Sequence, residues 1–245
     1  INGREAILKV HARQKPLAPD VNLKTIAKTT AGFTGADLAN LLNEAALLSA
    51  RKDKKAITMT EIEEATIKVV VGTEKKSRVM SDHEKKLTAY HEAGHAIAFY
   101  ACETQDPVHQ ISIIPRGMAG GYTMPLPTED RSYCSKKEML EDIIVALGGR
   151  VAEEIINGRI STGALSDLEK LTKQAYAMVA YFGMSDKVGH ISFYDSQDGY
   201  GFSRPYSEKT AELIDNEAKE LVDAAHKKAH EVLEANIEGL TKLAN

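Results

Sequence analysis

Two histidines four residues apart, with a glutamate directly after the first, stand at His91, Glu92 and His95. On a helix of about 3.6 residues per turn, positions four apart project from one face. Two imidazoles so placed can share a metal ion, and Glu92 lies close enough to polarise a water on it. The chemistry to expect is that of a zinc peptidase. The bland alternative is a pair of core histidines bonded to backbone carbonyls, but it gives Glu92 no reason to sit beside a buried face.

A catalytic zinc takes three protein ligands and keeps one position for water. The extension that would place a Gly and a third His three and six residues after His95 is absent, since those positions hold Ala98 and Ala101. Spacing leaves three carboxylates open as the third ligand: Glu153, Glu154 and Asp167. The small residues Ser161-Thr162-Gly163-Ala164 before Asp167 would let a helix start come close to a metal, although an acid there also suits the helix dipole. A second pair, His226 and His230, has Lys227 and Lys228 between its members, cations expected to repel a divalent ion. It is expected to lie on a solvated face. His83, His109 and His190 are isolated and carry no assignment.

The elements around these residues follow from caps and periodicity. Ser81-Asp82-His83-Glu84 is a capping box that starts a helix running to about Cys102. Leu87, Tyr90, His91, Gly94, Ile97 and Ala98 recur at three- and four-residue spacing, so its histidine face is also its buried face. Gly94 costs about 1 kcal/mol relative to alanine in a helix interior, which predicts that something packs close there. A helix over residues 3–13 is expected to turn Ala6, Ile7, Val10 and His11 inward. Thr34 and Thr58 cap two further helices, the second ending at Gly72. Residues 1–72 thus form a small helical bundle, residues 73–80 a charged linker, and residues 81–245 a second domain. In that domain Val108–Ile114 and Gly120–Leu126 read as a hairpin or small sheet. Ser135 caps a helix reaching Asn157-Gly158, whose Gly148-Gly149 pair predicts tight packing or a break. Another helix spans 166–182, and a Gly/Tyr/Asp/Ser-rich loop at 194–206 precedes a long helix from about 207 to 234 or beyond. The fold class is mainly α with a minor β element.

Composition narrows the function classes. The 245 residues carry a net charge of −4 and no basic patch, so no nucleic-acid partner is expected. Cys102 and Cys134 form no disulfide framework, which fits a reducing compartment. No apolar run approaches the roughly 20 residues needed to cross a bilayer, and no signal peptide is visible. The chain opens at Ile1 without a Met, and is expected to be a soluble part of a longer protein.

The motifs AITMTEIEEA, HEAGHAI, IIPRG, LGGRVAEE, STGALSDLEKLT and FGMSDKVG, in this order, resemble the FtsH-type ATP-dependent zinc proteases of the AAA+ class. INGREAILKVHARQKPLAPDV and AGFTGADLANLLNEAAL are similar to the helical lid of their ATPase module. The resemblance implies a lid bundle followed by a mostly helical, zincin-like peptidase domain. It implies one zinc per chain and selects Asp167 as the third ligand, since the family's ligand is the Asp of its STGA-x-x-D segment. It further implies a homohexamer fed with unfolded polypeptide, damaged membrane and soluble proteins among it. N-terminal spans absent here would hold the whole in the bacterial inner membrane, catalytic part in the cytoplasm, or in an organellar inner membrane. The lid positions that close over adenine and ribose are His11, Gly35 and Ala36. No G-x-x-x-x-G-K-[ST] phosphate loop occurs in the chain, so ATP and Mg²⁺ belong to the full-length protein only.

In the mechanism so implied, Glu92 is the general base. Peptide lies extended along a strand edge at Gly120, Gly121, Tyr122, Thr123 and Met124, unless these residues are simply a hairpin arm. Two rival readings differ in kind. One is a non-catalytic helical assembly module with a structural histidine pair; the other is a zinc hydrolase of small molecules, which would show a closed pocket instead of a groove.

Overall fold

The computed structural model describes residues 1–74, 80–117, 119–125, 127, 129, 131–193 and 206–245. Most of the linker expected at 73–80, the end of the second strand at Leu126 and nearly all of the loop at 194–206 lie outside the described residues.

The first four helices are α1 (Asn2–Ala12), α2 (Leu23–Thr29), α3 (Gly35–Arg51) and α4 (Met59–Val71). They close around Leu8, Ile26, Leu38, Leu41, Leu42 and Ile62. Thr34 and Thr58 both make capping boxes, with Asp37 and Glu61 as the reciprocal partners. Glu61 is fully buried, yet Lys54 and Thr58 bond its carboxylate and hold its pKa down at about 2. One expectation needs correction, and one element is new. The inward face of α1 is centred on Leu8, while Val10 is 53% exposed, because α3 packs against a face rotated from the expected one. The seven-residue α2 was not foreseen, although Asn22 caps it by accepting from the Lys24 and Thr25 N–H groups.

A second core is built by α5 (Asp82–Ala101), α6 (Lys136–Asn157), α7 (Leu165–Tyr176), α8 (Glu208–Ala235) and α9 (Ile237–Ala244). A short 3₁₀ turn (Thr162–Ala164) leads into α7, and a π-helical turn (Ala177–Tyr181) extends it. Asn236 separates α9 from the long α8. β1 (Val108–Ser112) and β2 (Tyr122–Pro125) pair antiparallel, with Ile111 opposite Thr123 and Ser112 opposite Tyr122. The mainly α expectation with a minor hairpin holds.

The contact that positions everything else is α5 against α6. Here the expected close approach at Gly94 is realised: a Cβ on Gly94 would collide with the Gly148 carbonyl oxygen, and one on Gly148 would lie 2.7 Å from the Gly94 oxygen. Two facing glycines therefore let the backbones touch. Each costs about 1 kcal/mol of helix propensity, a loss offset only where close packing is gained. Gly148-Gly149 does not break α6, which runs on to a left-handed Gly158.

Candidate metal centre

The close approach of α5 and α6 delivers His91 and His95 against α6 and buries them, at 9% and 8% exposure. Each ring is fixed through its Nδ1. His91 Nδ1 donates to Glu153 Oε1 at 2.8 Å, and His95 Nδ1 donates to the Val145 carbonyl at 2.8 Å. With those protons engaged outward, the two Nε2 atoms turn toward each other, 3.1 Å apart. Fixing the tautomer through an outer partner is how proteins aim imidazole lone pairs at a metal.

Asp167, in the first turn of α7, completes the group. Its Oδ2 lies 3.4 Å from His91 Nε2 and 3.7 Å from His95 Nε2. Glu153 has a second task that brings it there. Its Oε2 accepts the Ser161 N–H at 2.8 Å, so one carboxylate ties the His91 ring to the segment that leads into α7. Burial would raise the pKa of Glu153, but the His91 and Ser161 bonds prevail and lower it.

Three lone pairs converging at such distances require a positive charge among them. Burial pushes the His91 imidazolium down, yet the facing carboxylates of Asp167 and Glu153 outweigh it, and its pKa rises to about 9. Asp167 likewise resists burial and is held well below the usual carboxylate range by His91 and His95. A proton between the two Nε2 atoms, 3.1 Å apart, satisfies the need only in part, because Asp167 Oδ2 at 3.4 and 3.7 Å is far for a charge-assisted hydrogen bond. A zinc ion bonded to N and O at about 2.0–2.1 Å in tetrahedral geometry sets its ligands roughly 3.3 Å apart, close to the spacings found. Room for it exists because α6 carries glycine there. A Cβ on Gly149 would sit 2.5 Å from His91 Nε2 and 2.6 Å from His95 Nε2, inside the space the lone pairs face. The donor set and the space both fit zinc.

Glu92 is 6% exposed and points from α5 toward β2. Thr123 Oγ1 lies 2.9 Å from Glu92 Oε2 and 2.9 Å from the Glu92 carbonyl, so strand and carboxylate are tethered. A Cβ on Gly121 would meet Glu92 Oε1 at 2.8 Å, which is why the strand can pass so near. Burial raises the Glu92 pKa above its ordinary 4.5, against the pull of His95 and His91.

A cleft of about 770 Å³ runs over this group, lined on one side by Ala119–Pro125 and on the other by His91, Glu92, His95 and Asp167. Among the described residues β2 has β1 as its one partner strand, which leaves its other edge without a strand.

The 78–245 stretch matches peptidase family M41, and 20–64 matches the AAA+ lid domain. The chain belongs to peptidase family M41. It is similar to the ATP-dependent zinc metalloprotease FtsH of Caldicellulosiruptor bescii, 56% identical over 99% of the chain and 40% of that relative. Its likeness to the protein of the same name in Veillonella parvula is 55% over all of the chain and 39% of the relative. In Bacillus subtilis the figures are 48%, 99% and 39%. The chain thus spans about two fifths of the length of the curated relatives it matches. No helix among the described residues of the M41 domain or the lid is long and apolar enough to cross a membrane.

Of the carboxylates that spacing left open, the M41 fold brings Asp167 to the histidine pair and sets Glu153 behind His91. Glu154, the next residue, faces α8, where its Oε2 is 3.0 Å from His226 Nε2 and 2.9 Å from His230 Nε2. The expectation of a solvated face for that pair is corrected: both rings are partly buried and bonded to α6. Gly120 to Met124 all line the cleft. His11 lies in the last turn of α1, and Gly35 and Ala36 open α3. Sequence reasoning missed the Val145 carbonyl, the Thr123 tether and the clearance at Gly149. The first had no signal, being main chain; the last was visible only as a costly glycine pair.

Proposed function

We propose that the M41 domain is a zinc-dependent endopeptidase acting on unfolded polypeptide, with His91, His95 and Asp167 as ligands and Glu92 as general base. The observation that carries this reading is the convergence of the two Nε2 atoms and Asp167 Oδ2 over a glycine, with Glu92 beside them. His91, His95 and Asp167 would hold a zinc ion, which would supply Lewis acidity to acidify water and polarise a peptide carbonyl. Glu92 takes the water proton and passes it to the leaving amine, a contribution of roughly 10²- to 10⁴-fold. Its burial supports that task, because a raised pKa makes it a better proton acceptor once ionised. Thr123 holds the carboxylate toward the cleft. Peptide adds to the open edge of β2 at Gly120–Met124, reading main chain more than side chains. That open edge favours a polymer over a small molecule as substrate.

The likeness to longer relatives supports a wider proposal. Residues 1–72 act as the lid of an AAA+ ATPase module and 81–245 as the peptidase, two units with separate cores. In the whole protein His11, Gly35 and Ala36 face adenine and ribose, ATP and Mg²⁺ being bound mainly by parts outside this chain. The assembly is a homohexamer in the bacterial inner membrane, with the catalytic part in the cytoplasm.

Two preparations test the enzyme reading. Chelation should abolish cleavage of unfolded casein by the 245-residue chain, and zinc should restore it. Glu92→Gln should keep the zinc and lose cleavage. Persistent cleavage by that variant would mean that another group is the base.

A further inference from the structure

We propose that Glu154, His226 and His230 form a second site for a divalent transition metal, distinct from the catalytic one and clipping α6 to α8.

The geometry repeats that of the first pair. The His226 and His230 rings have centroids 4.9 Å apart at 68°, against 4.8 Å and 78° for His91 and His95. Both sets put two Nε2 atoms and one carboxylate oxygen within 4.8 Å of one another. Charges also flank the ligand atoms. Arg150 Nε stands 3.5 Å from Glu154 Oε1, leaving Oε2 to the histidines, and Glu234 Oε1 stands 3.8 Å from His230 Nδ1. That carboxylate is too far for a hydrogen bond but places a negative charge behind the His230 ring, where an Nδ1–H would be favoured.

The lysines between the two histidines do not oppose this. At about 100° per residue, Lys227 and Lys228 are rotated away from the histidine face. Both are exposed, and Lys228 pairs with Glu231 at 3.1 Å. Without metal, both Nε2–H groups donate to the one oxygen Glu154 Oε2. A metal replaces those two protons, and the ligand spacings of 2.9 and 3.0 Å need to open by only a few tenths of an ångström. Half-open side chains on two helix surfaces can supply that. Two imidazoles and a carboxylate select zinc, nickel, cobalt or copper over magnesium or calcium. The side chains are 23–37% exposed, so water fills the remaining positions and affinity is lower than at the buried centre. The clip fastens α6 one residue from Glu153, which holds His91.

Metal-stripped chain titrated with zinc chloride, followed by calorimetry and metal analysis, tests the proposal. The wild type should show two classes of site per chain. His230→Ala should lose the weaker class and keep both the tighter class and casein cleavage. Glu154→Gln retains an oxygen acceptor for both rings, so it should fold normally, yet it should weaken the second class at least tenfold. Asp167→Ala should do the reverse, losing the tighter class only. A single class in the wild type up to millimolar zinc, or a second class unchanged in His230→Ala and Glu154→Gln, overturns it.

Discussion

The molecule contains two histidine pairs of nearly equal ring geometry, and their surroundings make them different devices. His91 and His95 are buried, each Nδ1 is bonded at 2.8 Å, and a glycine lies below them. His226 and His230 are partly exposed, and among the described residues only His230 has a carboxylate near its Nδ1, at 3.8 Å. The first pair has Glu92 beside it in a cleft; the second has lysines turned to solvent. An i,i+4 pair of imidazoles is therefore common currency. What suits one pair to the proposed catalysis is clearance, outer hydrogen bonds and a buried acid at the cleft wall.

The clearance should matter most. Gly149→Ala puts a methyl 2.5 Å from His91 Nε2, and is expected to abolish both zinc retention and cleavage while the helix gains propensity. Metal analysis and circular dichroism on one sample check this; a zinc-loaded, active Gly149→Ala protein would break the contrast between the pairs. Next come the outer bonds. Glu153→Gln should weaken catalytic zinc roughly 10- to 100-fold, the usual cost of losing such a partner. Its neighbour Glu154→Gln should leave the catalytic zinc affinity unchanged. Equal effects from the two would mean that the pairs are not separately supported.

The smallest expected effect lies in pH. As the proposed base Glu92 would work only when ionised, and burial raises its pKa above 4.5, so activity should be present above that raised value and lost as pH falls through it. The Thr123 hydroxyl bond lowers that pKa. Thr123→Val removes it and should move the acid limb of the cleavage profile to higher pH. An unmoved limb would remove Thr123 from the account.

How much of this could be read beforehand depended on whether one helix carried the signal. His91, Glu92 and His95 lie within five residues, and helical period alone places them. Asp167 lies far along the chain with no periodicity linking it to the pair, so spacing left it level with Glu153 and Glu154 until the resemblance chose. The caps at Thr34, Thr58, Ser81 and Ser135 were legible because side chain and backbone satisfy each other locally. The face of α1 was not, since Ile7, Leu8 and Val10 are too close together to define one stripe. Lys227 and Lys228 lie between His226 and His230 along the sequence but not around the helix, so the order of residues hides the face that the pair shares. The Val145 carbonyl could not be found at all, because main-chain acceptors are alike at every residue.

Anomalous diffraction at the zinc edge, on crystals of the active chain, shows where the metal binds. A strong peak is expected within bonding reach of His91 Nε2, His95 Nε2 and Asp167 Oδ2. A chain that cleaves casein yet shows its strongest zinc peak elsewhere, at Glu154 for instance, would contradict it.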